Sequence, residues 1–328
     1  MSAAIDRLLA SLDIHPILVD IGASGEPPRI WAPLIRRSVY VGFDPDLRET
    51  HELSSGSVYR GVILNQAVTS EPTDGNVEFY LTRFPFCSST LEPDSQSLSN
   101  YVFADLFTVE KRVSVKATRL DNVLERLALA GIDWLKIDSQ GTDLRLFNSL
   151  GAETRSRVLA LDIEPGLIDA YRGEDLFIDA HRELTHNGFW LSNLQVQGTV
   201  RMRRATLEQM LATENDLSRD RVEKSVRVSP GWVEARYLRT LEWVLHHNLT
   251  KREYALLWSF ALLDGQVAFA FDLAVEWERI FGPSDLSNLM KAEALSRIRR
   301  SPRYPIARAR SFAPGRLKRW LRQLVRMG

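Results

Sequence analysis

Two short apolar runs, each carrying an acidic residue at or near its end, hold the most legible chemistry of this 328-residue chain. Leu18-Val19-Asp20-Ile21 breaks into Gly22-Ala23-Ser24-Gly25, and about twenty residues later Val39-Tyr40-Val41-Gly42-Phe43 ends in Asp44. Glycines let a backbone approach a ligand with no Cβ in the way, and a carboxylate after the next strand can take both hydroxyls of a ribose. The pair reads as the adenosine end of a nucleotide-like site. Asp20 stands before Gly22, where a carboxylate would repel a dinucleotide's pyrophosphate. It suits the cationic, amine-bearing end of S-adenosylmethionine. Asp20 is therefore expected near the amino-acid part of that cofactor, Asp44 on the ribose, and Gly22, Ala23, Ser24 and Gly25 in the turn. Gln66 and Ala67 are expected on the adenine side.

A second constellation follows at Ile132-Asp133-Trp134-Leu135-Lys136-Ile137-Asp138-Ser139-Gln140-Gly141-Thr142-Asp143. Leu135-Lys136-Ile137-Asp138, with Gln140-Gly141 and an acid at Asp143, resembles the signature of the FkbM-type methyltransferase family. Thr118-Leu120-Asp121, Ser88-Ser89, Glu164, Tyr171 and Gly188-Phe189 match further features in the family's order. The resemblance covers about residues 15–200. It implies a class I, Rossmann-like methyltransferase fold that uses S-adenosylmethionine to methylate hydroxyls, often of sugars or other hydroxylated natural products. Two departures stand out. The family's first turn often reads Asp-x-Gly-Ala-Asn-x-Gly, whereas this chain has Ser24, Gly25 and Glu26 before two prolines, and the acid after Gln-Gly is the shorter Asp143.

Methyl transfer to oxygen is an in-line displacement that needs alignment and removal of the acceptor proton. Asp138 is the first candidate for that work, as base or orienting carboxylate, or else as a helix cap. Lys136 shares its strand face, so it serves as a base if burial lowers its pKa, or pairs with a carboxylate. Glu164 could hold the acceptor hydroxyl, or be a simple strand-end acid. Ser88, Ser89 and Asp143 are expected on the substrate side. The six histidines form no convincing ligand set, so no metal is expected.

To position these groups, residues 17–21, 39–43, 58–63, 134–137 and 158–163 read as short buried strands. Helical patterns lie between several of them, clearest at Asp121–Ala128, and one is expected to start near Pro27-Pro28. Strands alternating with helices predict a doubly wound, mostly parallel α/β sheet, and the family adds a seven-stranded count. Residues 188–194 and 199–202 look like a closing pair of strands joined around Gly198. The Ser- and Pro-rich stretch from Phe84 to Asn100 reads as a substrate-side loop. Beyond residue 205 helical patterns dominate, at 206–212, 230–247, 251–263, 267–281 and 285–297, which predicts a separate all-helical module. The expected domains are 1–205, 206–300 and a tail at 301–328.

A composition of 45% hydrophobic residues allows a sizeable core. The lone Cys87 excludes an internal disulfide and a multi-cysteine metal site. No membrane-spanning run is seen, and Met1–Leu12 reads as an amphipathic helix rather than a signal peptide, so the expected location is cytoplasmic. The net charge is zero, yet the eleven Lys or Arg after Ala294 face no acid. Leu317, Trp320, Leu321, Leu324 and Val325 recur there at helical spacing among Arg and Lys. That basic amphipathic tail could contact an anionic membrane peripherally, pack on the protein or a partner, or bind nucleic acid. The sequence favours methylation of a sugar hydroxyl in a glycan or glycoconjugate. An RNA ribose methyltransferase and a non-catalytic scaffold are the rivals.

Overall fold

A computed structural model describes residues 3–24, 26–46, 48, 56–214 and 216–300. The strands are β1 (Ile17–Ile21), β2 (Val39–Phe43), β3 (Arg60–Leu64), β4 (Ala67–Val68), β5 (Asn76–Thr82), β6 (Val109–Thr118), β7 (Trp134–Ile137), β8 (Ala160–Ile163), β9 (Phe189–Thr199) and β10 (Ser229–Arg239). Seven form one sheet in the order β3-β2-β1-β7-β8-β10-β9. All its pairings are parallel except those of β10, which runs antiparallel to β8 and β9. Apart from Asp20, β1 and β2 are apolar or small on both faces and almost wholly buried, as parallel strands covered on both sides must be. A small second sheet, β4-β6-β5, stands beside the main one.

The helices of the first two hundred residues are α1 (Ala3–Ser11), α2 (Ser95–Leu98), α3 (Leu120–Arg126), α4 (Asp143–Asn148), α5 (Ala152–Arg157) and α6 (Phe177–His186). Then come α7 (Arg204–Thr213), α8 (Arg219–Ser225), α9 (Leu241–His246), α10 (Lys251–Leu263), α11 (Val267–Phe281) and α12 (Asp285–Arg300). One face of the main sheet packs α3, α4 and α6 around Val19, Leu135, Leu161 and Tyr237. The other packs α1, α10, α11 and α12 around Leu18, Trp134 and Ala160.

That second face corrects the expected separate helical module. The late helices share one continuous core with the sheet because α10 is apolar all round: Tyr254 through Leu262 are all buried, which only a central helix tolerates. Thr250 and Glu253 form a capping box at its start, and Arg252 makes two 2.7 Å contacts to Asp133 at the foot of β7. The same face explains a second correction. No α-helix follows Pro27-Pro28; only the 3-10 turns Arg29–Trp31 and Ile35–Arg37 link β1 to β2. The first of these turns buries Trp31 in that core, edge-on against Trp134 at 6.0 Å.

Residues 230–247, read as one helix, divide into β10 and α9. Val233, Ala235 and Tyr237 point into the core while Trp232, Glu234 and Arg236 do not, a period of two that Glu, Ala, Arg and Leu had masked as helix formers. The closing pair is also redrawn: β9 runs through Gly198, and its partner is β10, not residues 199–202. The expected strands at 17–21, 39–43 and 134–137 form with those bounds, as do the helices at 251–263 and 267–281. Gly25 and the basic tail at 301–328 lie outside the described residues. Among the described residues no helix is long and apolar enough to cross a membrane.

Candidate active site

The carboxyl ends of β1, β2, β7 and β8 open into one cavity of about 420 Å³. Ligands of open α/β sheets bind in this place, beyond the strand ends near the point where strand order reverses. Gly22, Ser24, Asp44, Gln66, Ala67, Ser88, Asp138 and Glu164 all line it. Asp20, Ala23, Lys136, Ser89 and Asp143 do not, and each has a definable place behind the wall.

The turn after β1 requires its glycine. Gly22 has φ of +83°, and a Cβ there would lie 2.2 Å from the Asp138 carbonyl oxygen. The Gly22 and Ala23 amides both donate to Phe43 O at 2.9 Å, so the ends of β1, β2 and β7 meet at this point. Asp44 is 6% exposed, and its Oδ1 accepts from the Asp46 amide at 2.8 Å. Burial pushes its carboxyl up to about 6. Gln66 presents a buried Oε1 with no hydrogen-bond partner.

Below the cavity the strand register sets polar residues side by side. Asp20 pairs with Lys136, Lys136 with Asp162, and Asp162 with Arg236 across β1, β7, β8 and β10. Side chains alternate along a strand, so all four share the face of Leu18 and Trp134. Lys136 Nζ lies 3.3 Å from Asp20 Oδ1 and 3.5 Å from Asp138 Oδ2. Asp20 Oδ2 accepts from the Tyr40 hydroxyl at 3.0 Å. Arg236 holds Asp162 through two contacts of 2.7 and 2.8 Å, and Asp264 at the end of α10 at 2.8 Å. Burial alone would lower the Lys136 pKa, but Asp20, Asp138 and Glu164 outweigh it and hold the ammonium well above its ordinary value. A lysine so held is an ion-pair partner and not a base. Asp20 is likewise committed beneath the floor.

Asp138 is the one member of this group that reaches the cavity. Its Oδ1 accepts from Gln140 Nε2 at 2.7 Å, and Gln140 Oε1 lies 2.9 Å from the Tyr171 hydroxyl. Gln140 takes φ of +57°, unusual for a side chain of its size, and its carbonyl accepts from Ser89 Oγ at 2.7 Å. Ser89 thus pins the 84–100 loop to the motif turn. Ser88, by contrast, borders the cavity, with Oγ accepting from the Thr82 amide at 3.1 Å and from Arg48 Nη2 at 3.0 Å.

Asp143, the first residue of α4, is 1% exposed. Its Oδ1 accepts from the Ser139 amide and hydroxyl, and its Oδ2 from the Glu164 amide at 2.7 Å. It ties the ends of β7 and β8 together. Burial, and secondarily the neighbouring Asp138, push Glu164 up to about 9.

Several cavity residues had no signal in the one-dimensional pattern. Trp232 and Glu234 arrive on β10, which had been read as helix. Phe103 and Phe107, in a 3-10 segment, and Glu174, in the loop before α6, have no spacing that links them to the strand ends. Among the described residues no group of three or more His, Cys, Asp or Glu is arranged to hold a metal ion.

A mixed α/β sheet in this order, with its cavity above the parallel ends, is consistent with a methyltransferase. Residues 39–191, a little under half of the chain, match the family model of the methyltransferase FkbM domain, which supports a methyltransferase activity. The match spans β2 to the first residues of β9; β1, β10 and the late helices lie outside it. No curated protein matches the chain.

Proposed function

We propose that the protein is an S-adenosylmethionine-dependent methyltransferase that methylates a hydroxyl of a sugar in a glycan or glycoconjugate. The observation that carries the cofactor assignment is the cavity wall from Gly22 to Gln66. It joins a backbone approach that a Cβ would block, a buried carboxyl after β2 and an orphaned buried amide oxygen. Asp44 suits the ribose hydroxyls, and Gln66 Oε1 can accept from the adenine amine. No Lys, Arg or His is among the described residues lining the cavity, which fits a cationic donor. S-adenosylmethionine supplies an electrophilic methyl group on a sulfonium.

The chain's own part is alignment and proton handling. Asp138 is the group placed to take the acceptor proton: Gln140 fixes Oδ1, Lys136 sits by Oδ2, and each oxygen keeps a lone pair free. Glu164, neutral near pH 7, can donate a hydrogen bond to the acceptor oxygen. The lining disfavours an RNA acceptor, because nothing among its described residues neutralises a phosphate next to the reacting ribose. The hydroxyl and sugar assignments rest on the family resemblance. Peripheral membrane contact through residues 301–328 remains a proposal from their sequence alone.

Calorimetric titration of S-adenosylmethionine into the wild type and Asp44→Ala tests the assignment. Micromolar binding is expected for the wild type, with a loss of roughly tenfold or more in the variant. Absence of binding by folded wild type overturns it.

A further inference from the structure

The acceptor side of the cavity is built from rings and acids. Trp232 and Phe103 stack with centroids 6.2 Å apart and planes 8° from parallel. Phe107 and Tyr171 meet edge-on at 5.6 Å beside them. Glu234 follows Trp232 by two residues on β10 and so shares its face. Its Oε1 accepts from Gln197 Nε2 at 3.0 Å. Glu174 Oε2 accepts from the Ala170 and Tyr171 amides. No cation among the described residues pairs with Glu164, Glu174 or Glu234, whereas Asp138 has Lys136 and Asp46 has Arg48.

We propose that the acceptor carries a protonated amine beside its reactive hydroxyl, held by the Trp232–Phe103 rings and the Glu234 and Glu174 carboxylates. This rests on the methyltransferase reading and extends it to the acceptor's charge. A donor bearing a sulfonium, an ammonium and a carboxylate brings one net positive charge. With Glu164 neutral near pH 7, that charge still leaves the Glu234 and Glu174 carboxyls without a cation. Aromatic faces attract a cation through their quadrupole, and a desolvated carboxylate adds a direct partner. An anionic acceptor would enter a space that already holds an excess of acids. Glu174, pushed up to about 7 by burial, gains a partner that favours its charged form. Hydroxylated amines, such as an amino sugar, meet these terms; a phosphorylated or uronic acid acceptor does not.

The test is calorimetric titration of glucosamine, glucose and glucuronic acid into the full chain, with and without saturating S-adenosylhomocysteine. Glucosamine is expected to bind roughly tenfold more tightly than glucose, and glucuronic acid more weakly than either. Glu234→Gln keeps the oxygen that accepts from Gln197, and it is expected to bring glucosamine to within about threefold of glucose. Equal affinities in the wild type, tighter binding of glucuronic acid, or no detectable binding of glucosamine overturns the proposal. A protein that does not bind S-adenosylhomocysteine yet prefers glucosamine overturns the cofactor assignment and leaves only the amine preference of the cavity standing.

Discussion

Two sets of charges lie a few ångströms apart in this molecule and are built on opposite terms. Beneath the cavity, Asp20, Lys136, Asp162 and Arg236 sit in register on neighbouring strands, alternate in sign, and meet further partners in Tyr40 and Asp264. In the wall above, Asp44 is buried and Glu164 and Glu174 are half-buried, none with an ion-pair partner among the described residues, and desolvation raises all three carboxyls. Burying a charge costs several kcal/mol unless it is paired and hydrogen-bonded. The floor supplies an ion-pair partner for each of its charges within the fold, although Asp20 Oδ1 and Asp264 Oδ2 accept no hydrogen bond and burial raises the Asp20 carboxyl too. The wall's three carboxyls have no such partner among the described residues and are shifted towards their neutral forms instead. The motif's two charges divide across this line: Lys136 belongs to the floor, while Asp138 spans both.

Removing a partner from the floor breaks the contrast most severely. Lys136→Met leaves Asp20 buried beside Asp138 with no cation, and is expected to lower unfolding free energy by about 3 kcal/mol. Chemical denaturation measures the loss. Asp20→Asn in the same chain should recover part of it; a single Lys136→Met variant as stable as wild type would show that the floor is not what the fold depends on.

The hinge between floor and wall comes next. Gly22→Ala places a Cβ against the Asp138 carbonyl in a positive-φ turn, for an expected cost of about 2 kcal/mol and a loss of donor affinity. Thermal unfolding with and without S-adenosylmethionine reads both effects.

Titrating the wall sharpens the comparison through pH. Glu164 is raised to about 9, from an ordinary value of 4.5, so the native state holds its proton more tightly than the unfolded chain does. The stability this lends is complete below about pH 4.5 and is lost as pH rises towards 9. The slope is at most about 1.4 kcal/mol per pH unit. Glu164→Gln should flatten the fall in melting temperature between pH 5 and 9. An unchanged slope would place Glu164 among the paired groups.

The smallest effect belongs to neither set. Asp220→Ala removes an exposed partner of Lys224 on α8 and should change stability by less than about 0.5 kcal/mol. A larger change, read by the same denaturation, would show that exposed pairs matter here as much as buried ones.

Much of the sheet was legible because parallel strands buried on both faces leave dense apolar runs, and β1, β2 and β7 are such runs. The two acids at strand ends, Asp44 and Asp138, were legible for the same reason, since an acid closing an apolar run marks where the strand leaves the core. Asp20 was harder to place: one position short of the strand's end, it points to the face that α10 covers. Asp143 looked like a substrate group because a motif acid reads the same whether it faces a ligand or two backbone amides.

Local pattern and chain order were enough to read the parallel core, the glycine turn after β1 and the carboxyl that closes β2 from the sequence. Tertiary structure alone decided that Lys136 is locked between Asp20 and Asp138, that the late helices cover a face of the sheet, and that Trp232 and Glu234 complete the cavity. Each of those depends on groups tens to hundreds of residues apart meeting across strands. β10 shows why: its alternation becomes decisive only when β8 and β9 stand on either side of it.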